Sequence, residues 1–195
     1  MPHSLIIGGT GKLAGVAVGL GRQRHTVTVV ARDSEGLLVL GERIHAVGGR
    51  FNAVHHDYRD TALLIDKLDA AAAVHGPYAH VISYINDLSA PQATGLIAQF
   101  LDALNHTCHY WDVLNWSAAD PALNDDQRTF RARKFAEQLD HVIYHEVILG
   151  WTASDDGSRG LTDDQIAQGV LSAIAGGQRS SVVGTIDPFD QRPDG

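Results

Sequence analysis

The stretch whose residue types and spacing speak first for chemistry is Gly8-Gly9-Thr10-Gly11-Lys12-Leu13-Ala14-Gly15. Glycines in such a turn let the backbone pass close to a pyrophosphate, which can then rest on the amide groups of a following helix N-terminus. The spacing Gly9-x-Gly11-x-x-Ala14 satisfies the G-x-G-x-x-G/A form, in which the third position needs only a small residue where helix meets strand. Gly8, Gly9, Thr10, Gly11, Lys12, Leu13 and Ala14 are therefore candidate ligands of a dinucleotide. A turn that serves packing alone is the alternative.

The elements around the turn are those the motif requires. The apolar run Leu5-Ile6-Ile7 precedes it, helical spacing from Val16 to Leu20 follows, and the β-branched run Thr26-Val27-Thr28-Val29-Val30 makes a second strand. This βαβ unit ends on Ala31-Arg32-Asp33. A carboxylate at the end of the second strand would bond a ribose 2′-hydroxyl and favour NAD, whereas a guanidinium suits a 2′-phosphate and NADP. Arg32, with Lys12 in the turn, favours NADP over NAD; Asp33 would reverse the preference if the strand ran one residue further.

Bulk properties bound the class. At 195 residues the chain suits one domain, spanning 1–195 with a polar tail over 187–195. A net charge of −8 argues against nucleic-acid and anionic-membrane partners, which need a basic face. Cys108 is the single cysteine, which excludes an intramolecular disulfide and suits a reducing compartment. With no apparent signal peptide and no run of membrane-spanning length, a cytoplasmic location is expected.

Strand-like and helix-like stretches alternate to the end. Strands are expected at 50–55, 78–85, 108–116, 142–149 and 181–186. Helices are expected after Asp60, from Pro91 to about Asn105, over 125–139, and behind the capping box Thr162-Asp163-Asp164-Gln165. Leu63, Leu64, Leu68 and the alanines at 70–73 form the buried side of the third helix, and Ile166, Val170, Leu171 and Ile174 that of the last. Alternation of this kind predicts an α/β fold, a Rossmann-type doubly wound parallel sheet of about seven strands in the order 3-2-1-4-5-6-7, with helices on both faces.

Several segments resemble the short-chain dehydrogenase/reductase superfamily. Thr10-Gly11-x-x-x-Gly15 resembles its T-G-x-x-x-G turn, and His56-Asp57-Tyr58-Arg59-Asp60 its D-V-x-D segment. His75-Gly76-Pro77-Tyr78-Ala79-His80-Val81-Ile82 resembles the approach to strand four, and Ser83-Tyr84-Ile85-Asn86 occupies the place of N-N-A-G. The resemblance implies cofactor contacts at Asp57, Tyr58, Ser83 and Tyr84, a small-molecule substrate, and a homodimer or homotetramer built through the helices around 92–104 and 125–139. It also implies a serine, a tyrosine and a lysine four residues later as catalytic groups. Ser117 stands at the serine's place, but thirteen residues on the frame reads Phe130-x-x-x-Lys134, without the phenol. Ser117 and Lys134 are thus candidate catalytic residues, with Tyr84, Tyr144 or His145 as candidates for the missing acid, water being the other. The functions left open are an NADP(H)-dependent oxidoreductase acting on a small carbonyl, imine or enone; a non-catalytic dinucleotide sensor or scaffold; and a redox-neutral epimerase, dehydratase or cyclase.

Two further features complete the expectations. His55-His56 and His106-x-Cys108-His109 are the densest metal-ligating groups, but neighbours on a strand split between faces and no four-ligand spacing appears, so no metal site is expected. About ten polar residues, Thr152 to Gly160, stand where the family carries a longer substrate lid, which predicts an open pocket or one completed by a second subunit.

Overall fold

A computed structural model of the protein describes residues 1–85, 92–120, 139–154 and 157–193. The expected helix over 125–139 and the candidate Lys134 lie, all but Leu139, outside the described residues. Chain order is β1 (His3–Ile7), α1 (Ala14–Arg22), β2 (Thr26–Ala31), α2 (Ser34–Ala46), β3 (Arg50–His55), α3 (Thr61–His75) and β4 (Tyr78–Ser83). Then follow α4 (Ala93–Ala103), β5 (Cys108–Asn115), β6 (Val142–Leu149), β7 (Trp151–Ser154), β8 (Gly157–Gly160), α5 (Asp163–Gly176) and β9 (Ser180–Val183).

Seven strands form one sheet in the order β3-β2-β1-β4-β5-β6-β9, every pair parallel. This is the predicted doubly wound order, its last strand being β9 because two short strands intervene. Residues 151–154 and 157–160 form the antiparallel pair β7–β8, where the sequence suggested only a short polar connection. Alternation along each strand sends side chains to two cores. Ile6, Val27 and Val29 meet α1, α2 and α5 through Leu13, Val16, Leu20, Leu37, Leu40, Ile44, Ile166 and Val170. Leu5, Ile7, Val30 and Val81 meet α3 and α4 through Leu64, Leu68, Ile97 and Leu101.

Capping fixes where the helices start. The Asp60 carboxylate accepts from Leu63 N at 3.4 Å, and Thr162 and Gln165 make both halves of the predicted capping box. Gly177 then stops α5 in the left-handed region at φ +65°. Leu63 departs from expectation: it is 46% exposed, because α3 buries Leu64, Leu68, Ala71 and Ala72 instead. Leu171 and Ile174 pack at the margin of the α5 stripe, whose buried residues are Ile166, Ala167, Val170 and Ala173.

A row of imidazoles crosses the sheet on the α1/α5 side. Ring centroids of His25 and His80 lie 6.0 Å apart, His80 and His109 5.5 Å, and His109 and His145 5.1 Å. His145 Nδ1–H donates to Gln178 O at 2.8 Å, so its Nε2 accepts from His109 Nδ1 at 2.9 Å, and Trp111 stacks on His145 at 3.8 Å. Burial lowers the pKa of all four, and in His80, pushed down to about 4, the neighbouring His109, His25 and His145 add to it. The folded state therefore binds protons less readily than the unfolded chain. Its stability is fully present above about pH 6.5, the ordinary histidine value, and is lost as pH falls through 4. Urea denaturation midpoints are expected to fall steadily over that window; a flat midpoint would contradict a neutral imidazole row.

Candidate dinucleotide site

At the C-terminal ends of β1, β2, β3 and β4 lies a cleft of about 400 Å³, lined by Gly8, Thr10, Val30, Ala31, Arg32, Asp33, His56, Tyr58 and Tyr84. β1 sits between β2 on one side and β4 on the other, so the crossovers leave it in opposite directions and open a crevice there. Backbone conformation shapes its floor. Gly8 has φ +82°, and a Cβ on it would come within 3.0 Å of Tyr84 O. Gly11 faces open space, with no atom within 4 Å of where its Cβ would stand.

The start of α1 has no side-chain cap, although Ala14 N donates to Gly11 O at 2.9 Å. Leu13 occupies the cap position and makes no side-chain cap, so the first amides of the helix are not satisfied by a side chain. Leu13 itself is fully buried, its side chain holding the turn to the core, while Lys12 is exposed with Nζ 5.4 Å from the Tyr84 ring centroid. The smallness at the end of the motif has a different partner from the one expected. Gly15 is the tight contact, its missing Cβ leaving room for Ala167 of α5 at 2.6 Å, whereas Ala14 is half-buried.

Charged groups gather at the β2 and β3 ends. β2 ends at Ala31 as predicted, and Arg32 stands exposed with Nη1 3.8 Å from the Asp57 carboxylate. Asp33 caps α2, accepting from Gly36 N at 3.0 Å through one oxygen, so part of its carboxylate serves the helix start. Asp57 accepts from Arg59 Nε at 3.0 Å and Nη2 at 2.5 Å. Those bonds, then the nearby charge of Arg32, hold its pKa down at about 2. Asp57 is thus a counter-ion that draws Arg59 and Arg32 to the rim. His56 is a cleft residue that sequence reasoning weighed only as a metal ligand. Its Nε2–H donates to Asp60 O at 3.0 Å and its Nδ1 faces Lys67 Nζ at 3.4 Å, so the ring is fixed in orientation.

The candidate catalytic groups do not converge in this cleft. Tyr84 lines it, beside the residues of the glycine turn, while Ser117 lies beyond the end of β5 in a 3₁₀ turn, Trp116–Ala119. Ser117 N donates to Asn115 Oδ1 at 2.9 Å and its hydroxyl donates to the same oxygen. Ser83, expected at the cofactor, has no exposed surface and cannot touch a ligand from its place in β4. Tyr144 is 7% exposed, and its hydroxyl donates to Asp112 Oδ2 at 3.0 Å. Burial and the Asp112 charge raise its pKa, so it is no proton donor to the crevice. His145, 2% exposed in the imidazole row, is excluded likewise. Cys108 faces the α3/α4 core with burial pushing its thiol up to about 12, and among the described residues no group of three or more His, Cys, Asp or Glu is placed to hold a metal ion.

Neither a protein-family model nor a curated protein sequence matches the chain. Solved structures do match. A short-chain type dehydrogenase/reductase from Mycobacterium ulcerans is 14% identical, with TM-score 0.76 over 93% of this chain and 87% of its own. An NADH-dependent reductase complexed with NAD is 17% identical, with TM-score 0.72 over 94% and 95%. A metagenomic short-chain oxidoreductase in complex with NADP is 18% identical, with TM-score 0.71 over 94% and 96%. The chain shares the fold of these structures, a Rossmann-type α/β fold.

The two glycines separate packing from binding. Gly15→Ala is expected to destabilise by about 1–3 kcal/mol through overpacking against α5, while Gly11→Ala stays within about 0.5 kcal/mol. Chemical denaturation of both variants checks this, and equal losses would contradict the packing derived for the turn.

Proposed function

We propose that this protein binds NADP(H) in the β1–β4 cleft and transfers a hydride between it and a small carbonyl, imine or enone. The observation that carries the cofactor reading is Arg32 at the rim with Asp33 capping α2. The cleft offers a guanidinium where a 2′-phosphate would need one, and its Asp33 carboxylate already gives one oxygen to the α2 cap. The turn fits the group: Gly8 and Gly11 leave the backbone bare, and α1 presents uncapped amides to a pyrophosphate. Lys12 adds a second cation, and the fixed His56 ring and Tyr58 flank the adenosine end. Solved neighbours include an NAD complex and an NADP complex, which supports a nicotinamide dinucleotide as the ligand class.

When bound, the nicotinamide supplies or accepts the hydride. The chain's own residues orient the substrate and move the proton. Ser117 holds the substrate oxygen once its hydroxyl turns away from Asn115, and Lys134 serves the ribose, as the family resemblance implies. Tyr84 is the acid in this reading: Tyr78, Tyr110 and Tyr144 are buried, and Tyr58, the other tyrosine of the cleft, is assigned to the adenosine end. One observation favours the second reading, a non-catalytic dinucleotide sensor: Tyr84 lines the glycine-turn cleft and Ser117 does not. A cytoplasmic homodimer or homotetramer belongs to the same proposal, as the family resemblance implies.

Fluorescence titration separates the cofactors. Arg32→Ala is expected to weaken NADPH binding by about ten- to a hundredfold and NADH binding by less than about threefold, the worth of one charge-assisted contact. Equal losses for both would refute the 2′-phosphate role. NADPH oxidation against a carbonyl panel, abolished in Ser117→Ala, is the outcome expected of the enzyme; tight binding without turnover would leave the sensor.

A further inference from the structure

The C-terminal segment, expected as a polar tail, is built into the fold next to Ser117. Trp151 N donates to Thr185 O and Thr185 N to Trp151 O, both at 2.9 Å, turning the chain back after β9. Gly184 permits this with φ +78°, and Thr185 Oγ1 donates to Asp187 O at 2.8 Å. The next turn, Phe189–Gln191, sets the Phe189 ring edge-on to two indoles, 5.9 Å from Trp116 and 6.0 Å from Trp151. All of these groups follow the C-terminal ends of β5, β6 and β9, the side of a parallel sheet on which ligands bind.

Arg192 completes the cluster. Its guanidinium carbon stands 5.0 Å from the Phe189 ring centroid and 5.7 Å from that of Trp116, and Nη1 donates to Phe189 O at 3.3 Å. A cation–π contact of this kind holds a guanidinium over the rings while leaving most of its donors unspent. In a chain of net charge −8, the ion pairs among the described residues are those of Arg32 and Arg59 with Asp57, so Arg192 has no carboxylate partner there. The side chain is exposed, and Trp116, which it covers, directly precedes Ser117. A held, exposed guanidinium over an aromatic wall is a receptor for a planar anion with an apolar body.

We propose that Trp116, Phe189 and Arg192 form an anion-anchoring subsite for a substrate carrying a carboxylate, with Arg192 as the anchor and the two rings as the wall. The proposal deepens the oxidoreductase reading, because it places the carboxylate of the carbonyl compound beside Ser117. As a binding site it stands independently of the hydride step. Phenylpyruvate is a suitable probe, since it joins an aryl ring, an oxo group and a carboxylate; its methyl ester lacks only the charge.

Calorimetric titration of the full chain, with and without saturating NADPH, tests this. The wild type is expected to bind phenylpyruvate at least tenfold more tightly than the ester. Arg192→Gln should abolish that preference without changing NADPH affinity, and Phe189→Leu should weaken both probes. Failure of the wild type to bind the acid, an equal affinity for acid and ester, or a preference that survives Arg192→Gln overturns the subsite. Failure of NADPH to bind while the preference for the acid persists refutes the cofactor reading and leaves the subsite standing.

Discussion

The site depends on the close packing that the glycine turn allows between β1, β2 and α5. A side chain on Gly9 would overlap Val29 of β2, and one on Gly15 would press on Ala167. Because both are bare, α1 lies tightly against the sheet and α5, and its N-terminus aims at the crevice between β2 and β4. Leu13, buried below the turn, keeps that aim fixed. Fold and site thus share one cause. The residues that permit the packing are the ones that leave backbone amides bare.

Around that turn the electrostatics are arranged by pairing. Asp57 binds Arg59 closely and Arg32 loosely, and Asp33 gives one oxygen to the α2 cap. Exposed ion pairs of this kind are individually weak, so an incoming phosphate can take Arg32 from Asp57 at little cost. The opposite choice governs the sheet interior. There the histidines are kept neutral by burial and by one another, and the buried tyrosines are removed from acid–base chemistry. Titratable groups are plentiful in this chain, yet few of them face the crevice.

Much of this was legible in the sequence, and the reasons differ by element. β3 and β6 fall on the residues expected, Arg50–His55 and Val142–Leu149, because branched runs bounded by turn residues define a strand locally. The sheet order follows from alternation and crossover handedness, and the Asp60 and Thr162 caps are local chemistry. What escaped is long-range. Nothing near Phe189 in the sequence indicates that it meets Trp116 and Trp151, and the imidazole row joins residues as far apart as His25 and His145. His56 could have been found: it adjoins Asp57, already assigned to the adenosine end. The burial of Ser83 and Tyr144 was not legible, because strand alternation tells which face a residue takes, and not whether that face is covered.

The central claim is that the bare backbone of the turn and the start of α1 receive the pyrophosphate of a dinucleotide. Amide hydrogen exchange with and without NADPH tests it most directly. The account predicts added protection at residues 8–14 and around Arg32, with β5 to β9 of the main sheet unchanged. Protection absent from the turn while NADPH is bound, or concentrated on another face of the protein, would contradict it.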